Sequence, residues 1–385
     1  MAACKRLDFG RGDLELFMGF VMKTLFKTFA VLLLLLTTAS MASAQEGPSR
    51  MELDCLAFTT ASNGIAMPGA AARMPSFHHV WTPGVRYHYF ESKGRKFFFE
   101  TEGHGRETIL VIHGGAGLPH EYFHPMLSNL SRFAKMVYFD RRADMLSASK
   151  PTEMATVAEQ ADDLDALRQK LGLDRVTLLA HSFGGAIALN YALRYPDHVK
   201  RLILVSTAAS VENPDEAEKR VMSKLSPADR ARYKSNEGES GGNNPCERVR
   251  RRYALLYPHY FSRPTPYEFE RGVYIAYFDA LTKKFALSQE PGEVEFRAEL
   301  SEIQAPALVV AGRNDLVTPL EQATELASGL PKSRLVVMNH SGHFPFFEEN
   351  YLFTEWVRQF LIETNDHRND FKVGGPVISS TGNSR

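Results

Sequence analysis

The sequence predicts an α/β protein in which a mostly parallel central sheet is flanked by helices. Short apolar runs, typical of buried strands, alternate with stretches of helical periodicity over much of the chain. Glycine, proline and polar residues separate these runs and mark the loops between them. Parallel strands joined by right-handed crossovers end at the same edge of a sheet. We therefore expect the loops at their carboxyl ends to form the functional site.

The individual elements follow from periodicity and from turn residues. Residues 86–90 and 96–101 are predicted to form a hairpin-like pair of strands. Helical apolar spacing covers 157–171 and 186–195, and Pro196 ends the second helix. The remaining buried-type runs are predicted strands, at 108–112, 136–139, 178–180, 202–205, 307–311 and 334–338.

The alternation of strands and helices stops in the middle of the chain. The segment 207–301 is helical and amphipathic in stretches, and we interpret it as a helical cap. The α/β core then comprises 86–206 together with 302–363, and a disordered tail is expected over 364–385.

A serine stands where an apolar strand runs directly into a helical pattern. The sequence around Ser182 reads LLAHSFGG, with Ala180 and Gly184 two positions to either side. A nucleophile elbow needs small residues at these positions, because its serine occupies a sharp turn with strained backbone angles. We therefore predict that Ser182 is a nucleophile.

Two further residues with suitable chemistry follow later strands. Asp315 comes just after the strand at 307–311, and His343 lies in the loop after the strand at 334–338. A serine hydroxyl needs a base to take its proton, and a carboxylate to orient and stabilise the imidazolium that forms. The sequence predicts a catalytic triad of Ser182, His343 and Asp315.

Each of these assignments has a competitor in the sequence. His340 lies three residues before His343 and is the alternative base. Glu212 and Asp215, which follow the preceding strand, are alternatives to Asp315 as the acid.

A glycine-rich loop follows the strand at 108–112 and reads HGGAG over 113–117. Loops of this kind supply backbone amides to oxyanion holes. We predict that the amides of Gly115 and Phe183 hold the oxyanion, with Gly114 as a neighbouring contributor. The histidines beside these segments, His113 and His181, are expected to have structural roles.

These residues together resemble the α/β-hydrolase superfamily, and within it the proline iminopeptidase group. The resemblance covers about 97–362 and is carried by HGGAG at 113–117, GRND at 312–315 and SGHFPFFEE at 341–349. The order Ser, Asp, His is the one expected of α/β-hydrolases. The chain departs from the group at Phe183, where tryptophan is usual, and in the turn after Asp140, which lacks two glycines.

The resemblance implies an α/β-hydrolase fold whose cap is inserted after the sixth strand and covers the nucleophile. It implies hydrolysis of an amide or ester through an acyl-enzyme, with neither a metal nor an organic cofactor. A small-molecule or short-peptide substrate is expected, as for an aminopeptidase. A carboxylesterase or lactonase is the alternative, and a non-catalytic binding protein on this scaffold is a more distant one.

The cap is expected to determine the substrate. Its aromatic residues are candidates for the lining of the pocket, at Tyr257, Tyr260, Tyr274, Tyr277, Phe278 and Phe285. Its acidic residues are candidates for binding a substrate amino group, at Glu247, Glu268, Glu270 and Asp279.

The amino terminus resembles a secretory signal peptide. A basic start at Met22 is followed by the apolar run 29–36 and by a small-x-small cleavage site that ends at Ala44. We expect translation from Met22, cleavage after Ala44, a loosely ordered arm over 45–85, and a secreted or periplasmic protein without a stable membrane anchor. Cys55 and Cys246 remain after cleavage, and a disulfide between them is left open.

The charge balance argues against a nucleic-acid partner. The chain has 45 basic and 45 acidic side chains, so it carries no net field that would attract a polyanion.

Overall fold

A nine-stranded sheet, in the order β1-β2-β4-β3-β5-β6-β7-β8-β9, forms the centre of the protein in a computed structural model. β2 is antiparallel to both β1 and β4, and every other neighbouring pair is parallel. The strands are β1 (Arg86–Ser92), β2 (Arg95–Glu102), β3 (Glu107–Ile112), β4 (Ala134–Phe139), β5 (Val176–His181), β6 (Val199–Val205), β7 (Ala307–Gly312), β8 (Ser333–Met338) and β9 (Ile378–Ser379). The predicted α/β class and mostly parallel sheet are confirmed.

The structure describes residues 84–115, 120–124, 126–142, 147, 156–211, 214–237, 255–263, 294–365 and 378–379. The predicted signal peptide and most of the predicted arm lie outside these residues. So do Cys55 and Cys246, the two cysteines that follow the signal peptide. The same holds for the acidic candidates of the cap and for four of its aromatic candidates, Tyr274, Tyr277, Phe278 and Phe285.

The central strands are apolar along their whole length because both faces of the sheet are covered. All six residues of β5 and all six of β7 are buried. Within β5, Leu178 belongs to the apolar core on one face, and Leu179 belongs to the core on the other. This two-sided burial explains why the strands appear in the sequence as continuous runs rather than as alternating patterns.

Seven α-helices have bounds within the described residues, besides several short 3-10 helices. They are α1 (Val157–Lys170), α2 (Gly184–Arg194), α3 (Pro214–Met222), α4 (Pro227–Glu237), α5 (Leu320–Gly329), α6 (Pro345–Glu348) and α7 (Asn350–Glu363). α1 begins with a capping box in which the Thr156 hydroxyl accepts from the Glu159 amide at 3.1 Å and the Glu159 carboxylate accepts from the Thr156 amide at 2.9 Å.

α2 packs directly against the end of β3. A Cβ atom at Gly184 would lie 2.5 Å from the carbonyl oxygen of Ile112 and 2.7 Å from that of His113. Only glycine permits this approach, because both obstructing atoms belong to the backbone. The packing brings the start of α2 beside the predicted oxyanion loop.

The segment between β6 and β7 contains α3, α4 and a 3-10 turn at Tyr257–Tyr260. Helices therefore follow the sixth strand, where the cap is expected. That this segment covers Ser182 stays a prediction, because much of it lies outside the described residues. Within the part of the chain that the structure describes, no helix is both long enough and apolar enough to cross a membrane.

Four residues of the predicted disordered tail, 364–365 and 378–379, are described, and two of them contact the core. Asn365 accepts a hydrogen bond of 2.6 Å from the buried Arg201 guanidinium, and Ile378 pairs with Val336 of β8. The physical reason is that β8 would otherwise lie at an open edge of the sheet with unpaired backbone donors and acceptors. The short strand β9 forms hydrogen bonds with these groups.

Candidate active site

Ser182 has strained backbone angles at the carboxyl end of β5. Its φ is 53°, in the left-handed region that residues with side chains rarely adopt. The Ser182 amide donates to the Val205 carbonyl at 3.0 Å, and the Thr207 hydroxyl donates to the Ser182 carbonyl at 2.7 Å. These contacts hold the serine in the geometry expected of a nucleophile elbow.

Asp315 and His343 form a direct pair. The Nδ1 atom of His343 lies 2.9 Å from Asp315 Oδ2, and both side chains are almost completely buried. Asp315 Oδ1 also accepts from the amides of Val317 and Thr318, at 2.8 and 2.9 Å. Burial alone would raise the pKa of Asp315, but the charge of His343 and the hydrogen bonds from His343 and Thr318 outweigh it and lower this pKa. The carboxylate is therefore ionised when it faces the imidazole.

The loop that carries His343 is fixed by its backbone. The His343 amide donates to the Tyr260 carbonyl at 2.7 Å, and the Gly342 amide donates to the Glu348 carboxylate at 2.6 Å. A Cβ atom at Gly342 would collide with the same Tyr260 carbonyl. This glycine therefore allows the turn at Tyr257–Tyr260 to approach the histidine loop.

Ser182 lies beside this pair without a hydrogen bond to it. The ring of its neighbour His181 has its centroid 4.8 Å from that of His343. Among the described residues, no hydrogen bond joins the Ser182 hydroxyl to His343. The structure thus joins two of the three predicted triad residues directly and places the third on the adjacent turn.

A chain of hydrogen bonds connects the glycine loop to the histidine loop. The Gly114 amide donates to the Tyr122 hydroxyl at 2.7 Å, and Tyr122 is 2.8 Å from His181 Nδ1. His181 Nε2 is 2.9 Å from the His343 carbonyl oxygen. An amide only donates and a carbonyl only accepts, so Tyr122 donates to Nδ1 and His181 carries its proton on Nε2. Burial and the nearby His343 hold the pKa of His181 well below its usual value, which keeps this imidazole neutral.

The chain of hydrogen bonds corrects one predicted oxyanion donor. The Gly114 amide already donates to Tyr122, so it is not available to an oxyanion. Glycine at position 114 instead makes room for the nucleophile, because a Cβ atom there would lie only 2.8 Å from the Cβ atom of Ser182. Neither the Gly115 amide nor the Phe183 amide donates to another described residue, and these two remain the predicted donors.

Comparison with known proteins identifies the family. Residues 107–350 match the model of the alpha/beta hydrolase fold. The chain belongs to the α/β hydrolase fold family. A proline iminopeptidase of Lactobacillus delbrueckii subsp. bulgaricus is 29% identical over 273 residues, covering 68% of this chain and 92% of that protein. A second, from Clostridioides difficile, is 28% identical over 289 residues, covering 70% of this chain and 97% of that protein.

The solved structure of an esterase from Exiguobacterium antarcticum is similar in fold. Its TM-score is 0.56 at 22% identity, over 71% of this chain and 98% of that chain. The chain is thus a hydrolase of the α/β fold with proline iminopeptidases among its relatives.

The alternatives for the acid and base of this α/β hydrolase receive less support. His340 is exposed, and its amide donates to the Glu349 carboxylate at 2.9 Å. Glu212 and the side chain of Asp215 lie outside the described residues. The direct contact between Asp315 and His343 favours these two residues, whose catalytic roles stay predictions.

Three residues that contact the site are not among the candidates predicted from the sequence, and no motif in the sequence marks them. Tyr122 and Thr318 are single polar residues in loops, and their contacts with His181 and Asp315 depend on the fold. Arg141 donates to the Gly115 carbonyl and lies 5.6 Å above the Phe183 ring, so it touches both remaining oxyanion candidates.

His113 and Asp140 complete the surroundings of the glycine loop. His113 is buried and contacts the Gly114 carbonyl at 3.1 Å through Nδ1, in keeping with its expected structural role. Asp140, which directly follows β4, accepts from His120 Nδ1 at 2.6 Å and from the His120 amide at 3.4 Å.

We predict that Tyr122→Phe destabilises the protein. The change leaves the Gly114 amide and His181 Nδ1 buried without their partner, which costs about 1–3 kcal/mol per group. Urea denaturation should show a lower free energy of unfolding. Tyr89→Phe, at a tyrosine that is 48% exposed, is the control and should be close to neutral. Equal stability of the two variants would contradict the proposed chain of hydrogen bonds.

We also predict that His181 makes stability pH-dependent. The unfolded imidazole binds a proton below about pH 6.5, whereas the folded one, with its lowered pKa, stays neutral. Its contribution is therefore complete above pH 6.5 and is lost by up to about 1.4 kcal/mol per unit as the pH falls. Unfolding between pH 5 and 7.5 should depend less on pH in His181→Gln than in the wild type. The exposed His340→Gln is the control, and parallel curves for the wild type and His181→Gln would refute the prediction.

Proposed function

We propose that this α/β hydrolase is an exported serine hydrolase that cleaves an amide or ester bond through an acyl-enzyme. Ser182 is the nucleophile, His343 the general base and Asp315 the residue that orients His343. The observation that carries the proposal is the 2.9 Å contact between Asp315 and His343, in a loop beside the strained turn of Ser182.

The proposed mechanism follows from the proton positions. Asp315 accepts from His343 Nδ1, so the unprotonated Nε2 is the atom that takes the Ser182 proton. The serine oxygen attacks the carbonyl carbon of the substrate, and the amides of Gly115 and Phe183 donate to the oxyanion. The bond from the carbonyl carbon to the leaving group then breaks, and the imidazolium gives its proton to that group. In the second half, His343 Nε2 takes a proton from a water molecule, whose oxygen attacks the acyl carbon. The acyl–serine bond breaks, and the proton passes from His343 to the Ser182 oxygen.

The proposed substrate is a short peptide or small amide with a free amino-terminal proline. The support is the similarity to curated proline iminopeptidases over about two thirds of the chain. A carboxylesterase or lactonase is the second candidate. Its support is the aromatic side chains that surround His343, with the rings of Phe344 and Tyr260 centred 5.3 and 6.0 Å from the imidazole. Such surroundings suit an apolar acyl group.

We predict that Ser182→Ala abolishes hydrolysis while the fold is retained. Loss of a nucleophile of this type lowers kcat by roughly 10⁴-fold or more. Ser328→Ala is the control, because Ser328 is an exposed serine on α5 whose hydroxyl donates only within its own helix. Steady-state rates and circular dichroism should show an inactive, folded Ser182→Ala and an active Ser328→Ala. Activity retained by Ser182→Ala would refute the mechanism.

Three substrates distinguish the candidate functions. They are a proline arylamide with a free amino group, its amino-blocked counterpart, and a short-chain aryl ester. Cleavage of the free amine alone would support the aminopeptidase, whereas ester cleavage that is indifferent to the amino group would support the esterase. Failure to cleave any of them would favour a non-catalytic binding protein.

The proposal of export has its own test. When the full chain is expressed in a secreting host, amino-terminal sequencing of the exported protein should begin at Gln45, because a small residue at Ala44 permits cleavage there. Ala44→Leu should block or shift that cleavage. An active protein that stays in the cytoplasm with Met1 or Met22 at its terminus would contradict export.

A further inference from the structure

A cluster of imidazoles and carboxylates lies buried next to the turn that follows the glycine loop. Glu100 belongs to β2, and His120 and His124 lie four residues apart at the turn that begins at His120. Their side chains are 2%, 0% and 3% exposed, respectively. One possible ligand atom from each of the three lies within 4.8 Å of the others. Three side chains of the types that bind transition metals therefore converge in the interior.

The spacing of these atoms suits a tetrahedral metal ion. Glu100 Oε2 lies 3.2 Å from His120 Nε2 and 3.6 Å from His124 Nε2. In a tetrahedral zinc site, whose bonds are about 2.0–2.2 Å long, two ligand atoms are separated by about 3.3–3.6 Å. A single carboxylate oxygen thus faces two ring nitrogens at the separation that a shared ion requires.

The second nitrogen of each imidazole faces an acceptor. His120 Nδ1 is 2.6 Å from Asp140 Oδ1, and His124 Nδ1 is 3.3 Å from the Ser128 hydroxyl. Ser128 in turn donates to the Glu102 carboxylate at 3.1 Å. Histidines that bind a metal usually donate their other ring N–H to a carboxylate or a similar acceptor, which directs the lone pair of the remaining nitrogen at the ion. Both histidines have this arrangement.

The charges of the cluster also suit a cation. Glu100, Glu102 and Asp140 place three carboxyl groups around two imidazoles in the interior. Buried carboxylates are stable where they are paired or where they bind a metal. A divalent ion would supply two positive charges while both imidazoles remain neutral, which is the form that binds metals.

We propose that Glu100, His120 and His124 bind one divalent transition-metal ion, with two imidazoles and one carboxylate favouring Zn²⁺. The role of the ion is structural. It fastens the turn at His120–Phe123 to β2, and this turn carries Tyr122, which holds the Gly114 amide and His181. The expectation that hydrolysis needs no metal concerns the reaction, in which this ion takes no part.

The first test is the metal content of the purified full chain. After incubation with ZnCl₂ and desalting, elemental analysis should find about one zinc per chain. ZnCl₂ should also raise the thermal midpoint of chelator-treated wild type by several degrees, because a ligand that binds the folded state stabilises it. A wild-type chain that retains no zinc and shows no thermal shift in excess ZnCl₂ would overturn the proposal.

Variants then locate the ion. Glu100→Gln and His124→Gln should retain little zinc, and Asp140→Asn should weaken zinc binding by about 10–100-fold through the orientation of His120. Glu107→Gln is the matched control, because Glu107 is a carboxyl on β3 that pairs with the buried Arg201 outside the cluster. It should retain zinc like the wild type. Equal zinc in Glu100→Gln and wild type would overturn the assignment. If the cluster variants fail to fold, the wild-type titration alone decides.

Discussion

The hydrogen bond from the neutral imidazole of His181 to the carbonyl of His343 connects loops that follow different strands. His181 ends β5 directly before Ser182, and its other ring nitrogen accepts from Tyr122, which in turn accepts from the Gly114 amide. The direction of each bond depends on the one before it, so a charged His181 would disrupt the whole chain. Burial of the imidazole prevents that charge. The relative positions of the predicted nucleophile, base and glycine loop therefore depend on one uncharged side chain.

Much of the fold could be predicted from the sequence because the central strands are covered on both faces. Burial on both sides leaves continuous apolar runs, and each predicted run corresponds to a strand of the sheet. The candidates Ser182, Asp315 and His343 are predictable for the same reason, since each lies in the turn or loop that follows such a run. The edge of the sheet was less predictable. The two-residue strand β9 has too little sequence for a periodic pattern, and only its pairing with β8 reveals it.

The sequence could not show how the loops use their polar groups. Gly114 and Gly115 are adjacent glycines in the motif, and the sequence does not show which amide is already hydrogen-bonded. In the structure the Gly114 amide donates to the hydroxyl of Tyr122, eight residues further along the chain. The proposed metal ligands illustrate the same limit. His120 and His124 have the four-residue spacing of a metal motif, but their third partner, Glu100, lies on a strand twenty residues earlier. Contacts between a loop and a strand are set by the register of the sheet, which the residues of the loop do not encode.

The strained backbone of Ser182 persists because hydrogen bonds to neighbouring residues hold both its amide and its carbonyl. Strain of this kind costs about 1–3 kcal/mol and survives only where the surrounding structure compensates. The Ser182 amide is held by β6, and its carbonyl accepts from both the Thr207 hydroxyl and the Gly185 amide. Thr207 can reach this carbonyl because Ser206, which also has a positive φ, turns the chain at the end of β6, and because Gly185 has no side chain to displace it. The two serines with positive φ, which follow adjacent strands, thus have different roles, because the turn at Ser206 places the group that holds Ser182.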